Sequence, residues 1–129
     1  MRLQNKTVLL TGASKGIGTF IAKTLALESA IIIGVARSSE GLETTKAAVE
    51  ELGGRFHSVP FDLKNINQLP DLISKVESTI GEVDILVNNA GIELYNEYHH
   101  YSADDVSDVL NINLHAPMEL TRLLLPSML

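Results

Sequence analysis

Three glycines within seven residues, Gly12, Gly16 and Gly18 in the stretch TGASKGIG (Thr11 to Gly18), restrict this chain more than any other feature. An apolar run, Thr7 to Leu10, leads into them, and a helical pattern begins at Ile17. A strand feeding a glycine loop that opens a helix makes an anion site, because the first N–H groups of a helix lack internal partners and the aligned peptide dipoles place partial positive charge there. Lacking a Cβ, the glycines let the chain turn tightly, bring backbone close to a pyrophosphate and seat the new helix close on its sheet. The spacing is G-x-x-x-G-x-G, not G-x-G-x-x-G, and the G-K-[ST] ending of a P-loop is missing. The stretch is read as a variant phosphate cradle; the competing reading is a glycine-rich turn that binds nothing.

Composition narrows the classes. At 129 residues, 45% apolar and 20% charged, the chain is one domain of ordinary globular make-up with enough material for a core. Net charge is −6 and the ten Lys and Arg are scattered, which argues against a nucleic-acid partner. With no cysteine there is neither a disulfide framework nor a thiolate metal site, in keeping with a cytoplasmic protein. The longest apolar run, Ala30 to Ala36, is too short to cross a membrane.

Taken in order, the chain alternates strand and helix. Lys6 to Thr11 and Ala30 to Ala36 (AIIIGVA) read as strands covered on both faces, with Gly34 marking a close backbone approach. The first helix presents Ile17, Phe20, Ile21 and Leu25 as one buried face. A second, capped by Ser38 or Ser39, turns Leu42, Val49 and Leu52 inward and stops at Gly53 and Gly54. A third strand, about Phe56 to Phe61, contains Pro60, which cannot donate to a ladder and so belongs at a sheet edge. The next helix carries Leu69, Leu72, Ile73, Val76 and Ile80, with Pro70 in its first turn and Gly81 at its end. After a fourth strand, Val83 to Asn88, a last helix opens at Ser102, whose S-x-x-D with Asp105 is a capping box, Tyr101 and Val106 forming a hydrophobic staple. It runs, interrupted near Pro117, to about Leu125. This alternation implies an α/β fold with a parallel sheet. The order 3-2-1-4 puts the proline strand at the edge and brings the ends of strands one and four together at the switch point.

At this point the residues resemble the short-chain dehydrogenase/reductase family. TGASKGIG matches its cofactor motif T-G-x-x-x-G-x-G, NNAG (Asn88 to Gly91) its second motif, and VLNINL places Asn113 at its helix asparagine. The resemblance implies a Rossmann-type doubly wound parallel sheet, of which residues 1–129 supply the N-terminal, dinucleotide-binding part, with later strands missing. It implies an oxidoreductase acting on a small-molecule carbonyl or alcohol. Backbone groups around Gly12 and from Ser14 through Lys15, Gly16 and Ile17 to Gly18 would hold the pyrophosphate. Asp62, with the Leu63 amide beside it, would accept from the adenine amino group, the alternative being a simple strand-end cap. Asn89, Ala90 and Gly91 would flank a cofactor ribose, while Asn88 pins neighbouring strands.

Charge bears on which cofactor. A ribose 2′-hydroxyl is normally met by Asp or Glu at the end of strand two, whereas a 2′-phosphate needs a cation and tolerates no carboxylate. That place reads Ala36, Arg37, Ser38, and Lys15 approaches from the glycine loop. NADP is therefore preferred over NAD, against the alternative that both cations are simply solvated. Asn113 stands out independently: a helical carbonyl there would accept from residue 117, which is proline and has no N–H. In the family, the main chain of this asparagine is thought to hold a water on the proton-relay path, which makes Asn113 the catalytic candidate; a kink that serves packing alone is the rival reading.

The family's chemistry also needs a catalytic serine and then a Tyr-x-x-x-Lys pair, all lying beyond the asparagine helix, and these are expected to be missing here: Tyr95, Tyr98 and Tyr101 are followed three or four places on by no lysine, with His99, Ser102 and Asp105 four places on. No metal site is expected, since adjacent His99 and His100 point apart; His57 reads as structural, and Glu93 and Glu97 as a solvated loop. The fourth strand would be left with a bare edge, and the last helix carries Val106, Leu110, Leu114, Met118, Leu123, Leu124 and Leu125, more apolar surface than a small sheet covers. The chain is thus expected to be the cofactor-binding half of a longer homo-oligomeric enzyme, or a truncated product, inactive alone. Two rivals remain: a catalytically silent nucleotide-binding or interaction module, and a complete small α/β domain of the receiver or flavin-binding type. The receiver type lacks support, because no acidic cluster follows strand one.

Overall fold

A computed structural model describes residues 1–129. Four parallel strands, β1 (Thr7–Thr11), β2 (Ile31–Ala36), β3 (Arg55–Pro60) and β4 (Ile85–Val87), form one sheet in the order β3-β2-β1-β4. Helices α1 (Ile17–Leu27) and α2 (Ser39–Glu51) follow β1 and β2. After β3 come a 3₁₀ turn (Ile66–Gln68) and α3 (Leu69–Thr79); after β4 come α4 (Ala103–Leu110), a π-helical turn (Asn111–His115) and α5 (Ala116–Met128). This is the parallel α/β sheet expected from the alternation, and it is Rossmann-like as the resemblance implies, with Pro60 on the edge strand, opposite Ala36.

Alternation along the strands sends side chains into two cores. Val8, Leu10, Ile32 and Phe56 pack with Ala22, Ala26, Leu42 and Val49 of α1 and α2. On the other face Leu9, Ile33 and Val35 meet α3 through Leu69, Leu72, Ile73 and Val76, and α5 through Ala116, Leu120 and Leu124. Helix α3 buries Leu69, Leu72, Ile73 and Val76 of the stripe its spacing predicts, while Ile80, just past its end, is partly buried against the same core.

Four expectations need correction. The buried face of α1 is Gly18, Ala22 and Ala26, while Ile17 and Phe20 are each 72% exposed. Small residues at i, i+4 and i+8 let this helix approach the sheet closely, and that geometry outweighs the larger residues beside them. Leu52 lies beyond the last full turn of α2 and is exposed. Strand β4 has three residues rather than six, because Asp84 replaces a ladder rung: its carboxylate accepts from the Thr7 N–H at 2.8 Å while its own N–H donates to the Thr7 carbonyl. The last helix runs on to Met128, and its buried stripe is Ile112, Ala116, Leu120 and Leu124. Leu110, Leu114, Met118 and Leu125 remain exposed, and β4 pairs only with β1.

The close approach at Gly34 is real but comes from a side chain. A Cβ there would lie 2.1 Å from Cζ of the buried Phe56 ring. Gly34→Ala is expected to destabilise the chain by about 1–3 kcal/mol through overpacking, and adding Phe56→Leu is expected to recover part of that loss. Urea unfolding followed by circular dichroism checks both; equal stability of Gly34→Ala and the parent would show that the ring is free to move.

Candidate functional site

The carboxyl ends of β1 and β4 meet over the glycine loop. Gly12 takes φ +66°, and a Cβ on it would sit 2.9 Å from the Ala90 Cα. A Cβ on Gly18 would fall 1.8 Å from the Gly12 carbonyl oxygen, so the first turn of α1 rests on the loop backbone. Gly16 is different: its φ is +58°, yet a Cβ would meet nothing within 4 Å. It caps α1 with no side-chain hydrogen bond, and no acidic residue lies in the first turn. The start of α1 thus carries no side-chain cap and no acidic residue, with open space beside Gly16, an arrangement that suits an anion such as a pyrophosphate.

The loop is tied to the NNAG segment by Thr11, the first residue of the glycine motif, to which the sequence alone assigns no role of its own. Thr11 Oγ1 accepts from the Asn89 N–H at 3.1 Å and the Ala90 N–H at 2.9 Å, and its proton points to the Val87 carbonyl at 3.5 Å. Asn89 Nδ2 donates to the Gly12 carbonyl at 3.2 Å. Cross-strand pinning therefore belongs to Asn89, while Asn88 is exposed. Ala90 is half-buried against the core, and Gly91, exposed, lies against Asn113.

A second tie comes from α2. Thr45, fully buried, donates to the Ala13 carbonyl at 2.8 Å and shares a hydrogen bond with Thr19 of α1 at 3.1 Å. This docks the start of α2 beside the loop, where a Cβ on Gly41 would lie 2.8 Å from Ser14 Cβ. Ser38 caps α2, its hydroxyl oxygen accepting from the Gly41 N–H at 2.9 Å, so its own proton is left to donate. Arg37 and Lys15 are both exposed, and neither enters an ion pair. Thr19, Gly41 and Thr45 carry no motif; only their proximity in the fold reveals them.

Asp62 acts as a strand-end cap. Its Oδ1 accepts from the Lys64 N–H at 3.0 Å, and the Lys64 ammonium stands 3.9 Å from both Asp62 Oδ2 and Asp108 Oδ2. The side chain keeps 30% exposure, so lone pairs remain open to a further donor, while the Leu63 side chain is buried in the α3 core.

Asn113 lies within the π-helical turn. Its side chain grips one residue at both ends: Oδ1 accepts from the Ile92 N–H at 2.8 Å and Nδ2 donates to the Ile92 carbonyl at 2.8 Å. The amide thus stands in for a neighbouring strand and holds the segment after NNAG. The capping box at Ser102 and Asp105 forms as expected. Against expectation, the rings of His99 and His100 lie together, centroids 4.1 Å apart, because a 3₁₀ turn (Tyr98–His100) curls them to one side. His57 is exposed on the edge strand.

Because the Thr11 hydroxyl is the acceptor given to the Ala90 N–H, while the Asn89 N–H also donates to the Val87 carbonyl at 3.1 Å, Thr11→Val is expected to cost about 1–3 kcal/mol by leaving the Ala90 N–H unpaired, while Thr11→Ser retains most of the stability. At Thr45, Val is expected to cost a similar about 1–3 kcal/mol through the orphaned Ala13 carbonyl and Thr19 hydroxyl. Chemical denaturation of the four chains, parent included, measures both effects; a Thr11→Val chain as stable as the parent would show that water replaces the hydroxyl.

Comparison with known proteins accords with this geometry. The profile described as short chain dehydrogenase matches residues 6–129. A ketoacyl reductase, HetN, of a Nostoc species is 48% identical over 98% of this chain and 44% of its own length. The 3-oxoacyl-[acyl-carrier-protein] reductase FabG of Escherichia coli is 33% identical over 100% of this chain and 52% of its own. Among solved structures, a metagenomic short-chain oxidoreductase in complex with NADP superposes with a TM-score of 0.93 at 30% identity, covering 99% of this chain and 58% of that one. L-Sorbose reductase from Gluconobacter frateurii, complexed with NADPH and L-sorbose, gives 0.89 at 31% identity over 99% and 49%. The chain spans about half the length of the curated relatives it matches. With its glycine loop, its NNAG segment and its asparagine helix brought to one cleft, this chain belongs to the short-chain dehydrogenase family of oxidoreductases.

Proposed function

We propose that residues 1–129 form the cofactor-binding part of an NADP-preferring oxidoreductase that interconverts a carbonyl and an alcohol. The observation that carries this reading is the uncapped start of α1 facing open space at Gly16, with the Arg37 and Lys15 cations unpaired and the Ser38 hydroxyl proton unused. Backbone groups from Gly12 and Ser14 through Gly18 take the pyrophosphate, and Arg37, Lys15 and Ser38 take a 2′-phosphate. Asp62 and the Leu63 amide receive the adenine edge, Asn89, Ala90 and Gly91 line the ribose side, and Asn113 fixes the segment that borders the substrate. NADPH supplies the hydride when bound. Complexes with NADP or NADPH among the structural neighbours support the choice of cofactor.

The proton donor is assigned outside these residues, since no Tyr-x-x-x-Lys occurs within them. The exposed stripe Leu110, Leu114, Met118 and Leu125 supports a homo-oligomer in the full-length protein. A cytoplasmic setting accords with the lack of cysteine and with the fact that no helix is long and apolar enough to cross a membrane. The second reading, a silent nucleotide-binding module, uses the same cleft and differs only in lacking turnover.

Calorimetric titration of the folded 129-residue chain tests the assignment. NADPH is expected to bind more tightly than NADH, and Arg37→Asp to weaken NADPH by about 10- to 100-fold, the worth of one charge-assisted contact, while leaving NADH unharmed. Equal affinity for the two nucleotides before and after the substitution would overturn the role of Arg37. The same chain is expected to show no carbonyl reduction with NADPH; measurable turnover would require another proton donor within residues 1–129.

A further inference from the structure

The turn from Glu97 to Tyr101 lies apart from the residues assigned to the nucleotide and holds a cluster that the proposed function leaves unused. One ligating atom from each of Glu97, His99 and His100 lies within 4.8 Å of the other two. His99 Nε2 is 3.3 Å from Glu97 Oε2, and the two imidazole rings sit 4.1 Å apart with their planes inclined at 55°. Bonds of about 2.1 Å from one ion to three such donors place the donors roughly 3–4 Å apart. Small side-chain rotations close the remaining gap, and both measured side chains, His99 at 71% and Glu97 at 73% exposure, are free to make them.

The backbone beneath these groups is already fixed. The His100 N–H donates to the Glu97 carbonyl at 2.8 Å, and the Tyr101 N–H to the Tyr98 carbonyl at 3.0 Å. Asn96 Oδ1 accepts from the Glu97 N–H at 3.0 Å. The Tyr101 hydroxyl donates to the Leu94 carbonyl at 3.0 Å, and its ring lies 5.2 Å from that of Tyr98. Upstream, the Asn113 amide clamps Ile92 at both its N–H and its carbonyl. An ion binding here orders only the tips of three side chains, which lowers the entropic cost of capture.

From this geometry we infer a divalent transition-metal site formed by Glu97, His99 and His100. Two imidazoles and one carboxylate select copper, nickel, zinc or cobalt over magnesium and calcium, which prefer all-oxygen shells. Because the cluster is exposed, water completes the coordination, so the site is open and exchangeable. A net charge of −6 favours a cation's approach. The site stands independently of the cofactor assignment.

Isothermal titration of Zn²⁺, Ni²⁺, Co²⁺, Mn²⁺ and Mg²⁺ into the 129-residue chain, with circular dichroism on the same samples, tests it. One ion per chain is expected, with nickel and zinc bound more tightly than cobalt, cobalt more tightly than manganese, and no response to magnesium. His99→Ala and His100→Ala are each expected to weaken zinc at least about 10-fold, Glu97→Gln to weaken it less, and the double variant His57→Ala/His115→Ala to leave it unchanged. Unchanged zinc affinity in both His99→Ala and His100→Ala, binding lost instead in the His57/His115 variant, or no zinc binding by the folded parent would each overturn the assignment. All the altered residues are exposed, and the dichroism spectrum reports whether the fold is intact.

Discussion

The structure hangs on a backbone contact that admits no side chain. With the position of a Gly18 Cβ only 1.8 Å from the Gly12 carbonyl oxygen, α1 begins directly against the end of β1. The Ala90 backbone closes on Gly12 from the other side. Two stretches far apart in sequence, the glycine loop with the start of α1 and the turn at Ala90, thus converge at one point. The Thr11 hydroxyl makes this convergence durable, because one oxygen takes the Ala90 N–H that the short β4 ladder does not pair and shares the Asn89 N–H with the Val87 carbonyl. The phosphate site proposed at the loop would be preorganised, since its backbone is held by the same contacts that hold the sheet.

Around that point the proposed cofactor assignment separates two kinds of recognition. On that assignment the loop offers backbone, which distinguishes an anion from a neutral group but not one phosphate ester from another, and Arg37 and the Ser38 cap ahead of α2 would carry the selectivity by side-chain chemistry. Thr45 joins the two segments by bonding to the Ala13 carbonyl and to Thr19. Since that hydroxyl is fully buried, it fixes α2 against the glycine loop.

Much of this was legible in the chain because it rests on local rules. Continuous apolar runs marked strands covered on both faces, Pro60 marked the edge, and the spacing of Leu69, Leu72, Ile73 and Val76 marked a buried stripe. The capping box at Ser102 needs only residues three apart. What escaped depends on contacts across the fold. Ile17 and Phe20 have the right spacing and size for a core face, yet Gly18, Ala22 and Ala26 decide the orientation of α1 because close approach matters more than the bulk of any one residue. Thr11 and Thr45 look like ordinary strand and helix residues until partners dozens of positions away are in place. His99 and His100 were expected to diverge as in a strand or loop, and a 3₁₀ turn of three residues reverses that geometry.

The irregularity of the last helix follows from similar competition. Pro117 has no N–H to give to the Asn113 carbonyl, and α-helical bonding would leave that group without its donor. The chain instead widens at Asn111–His115, where the Ala116 N–H reaches back five residues to the Asn111 carbonyl. One residue more in a turn rotates everything after it by about 100°. That rotation is consistent with the buried stripe proceeding through Ile112, Ala116, Leu120 and Leu124 while Leu110, Leu114 and Met118 face outward. At the same turn the Asn113 amide meets both polar groups of Ile92. The wide turn at once accommodates the proline, chooses which face of α5 meets the sheet, and fixes the segment that follows NNAG at Ile92.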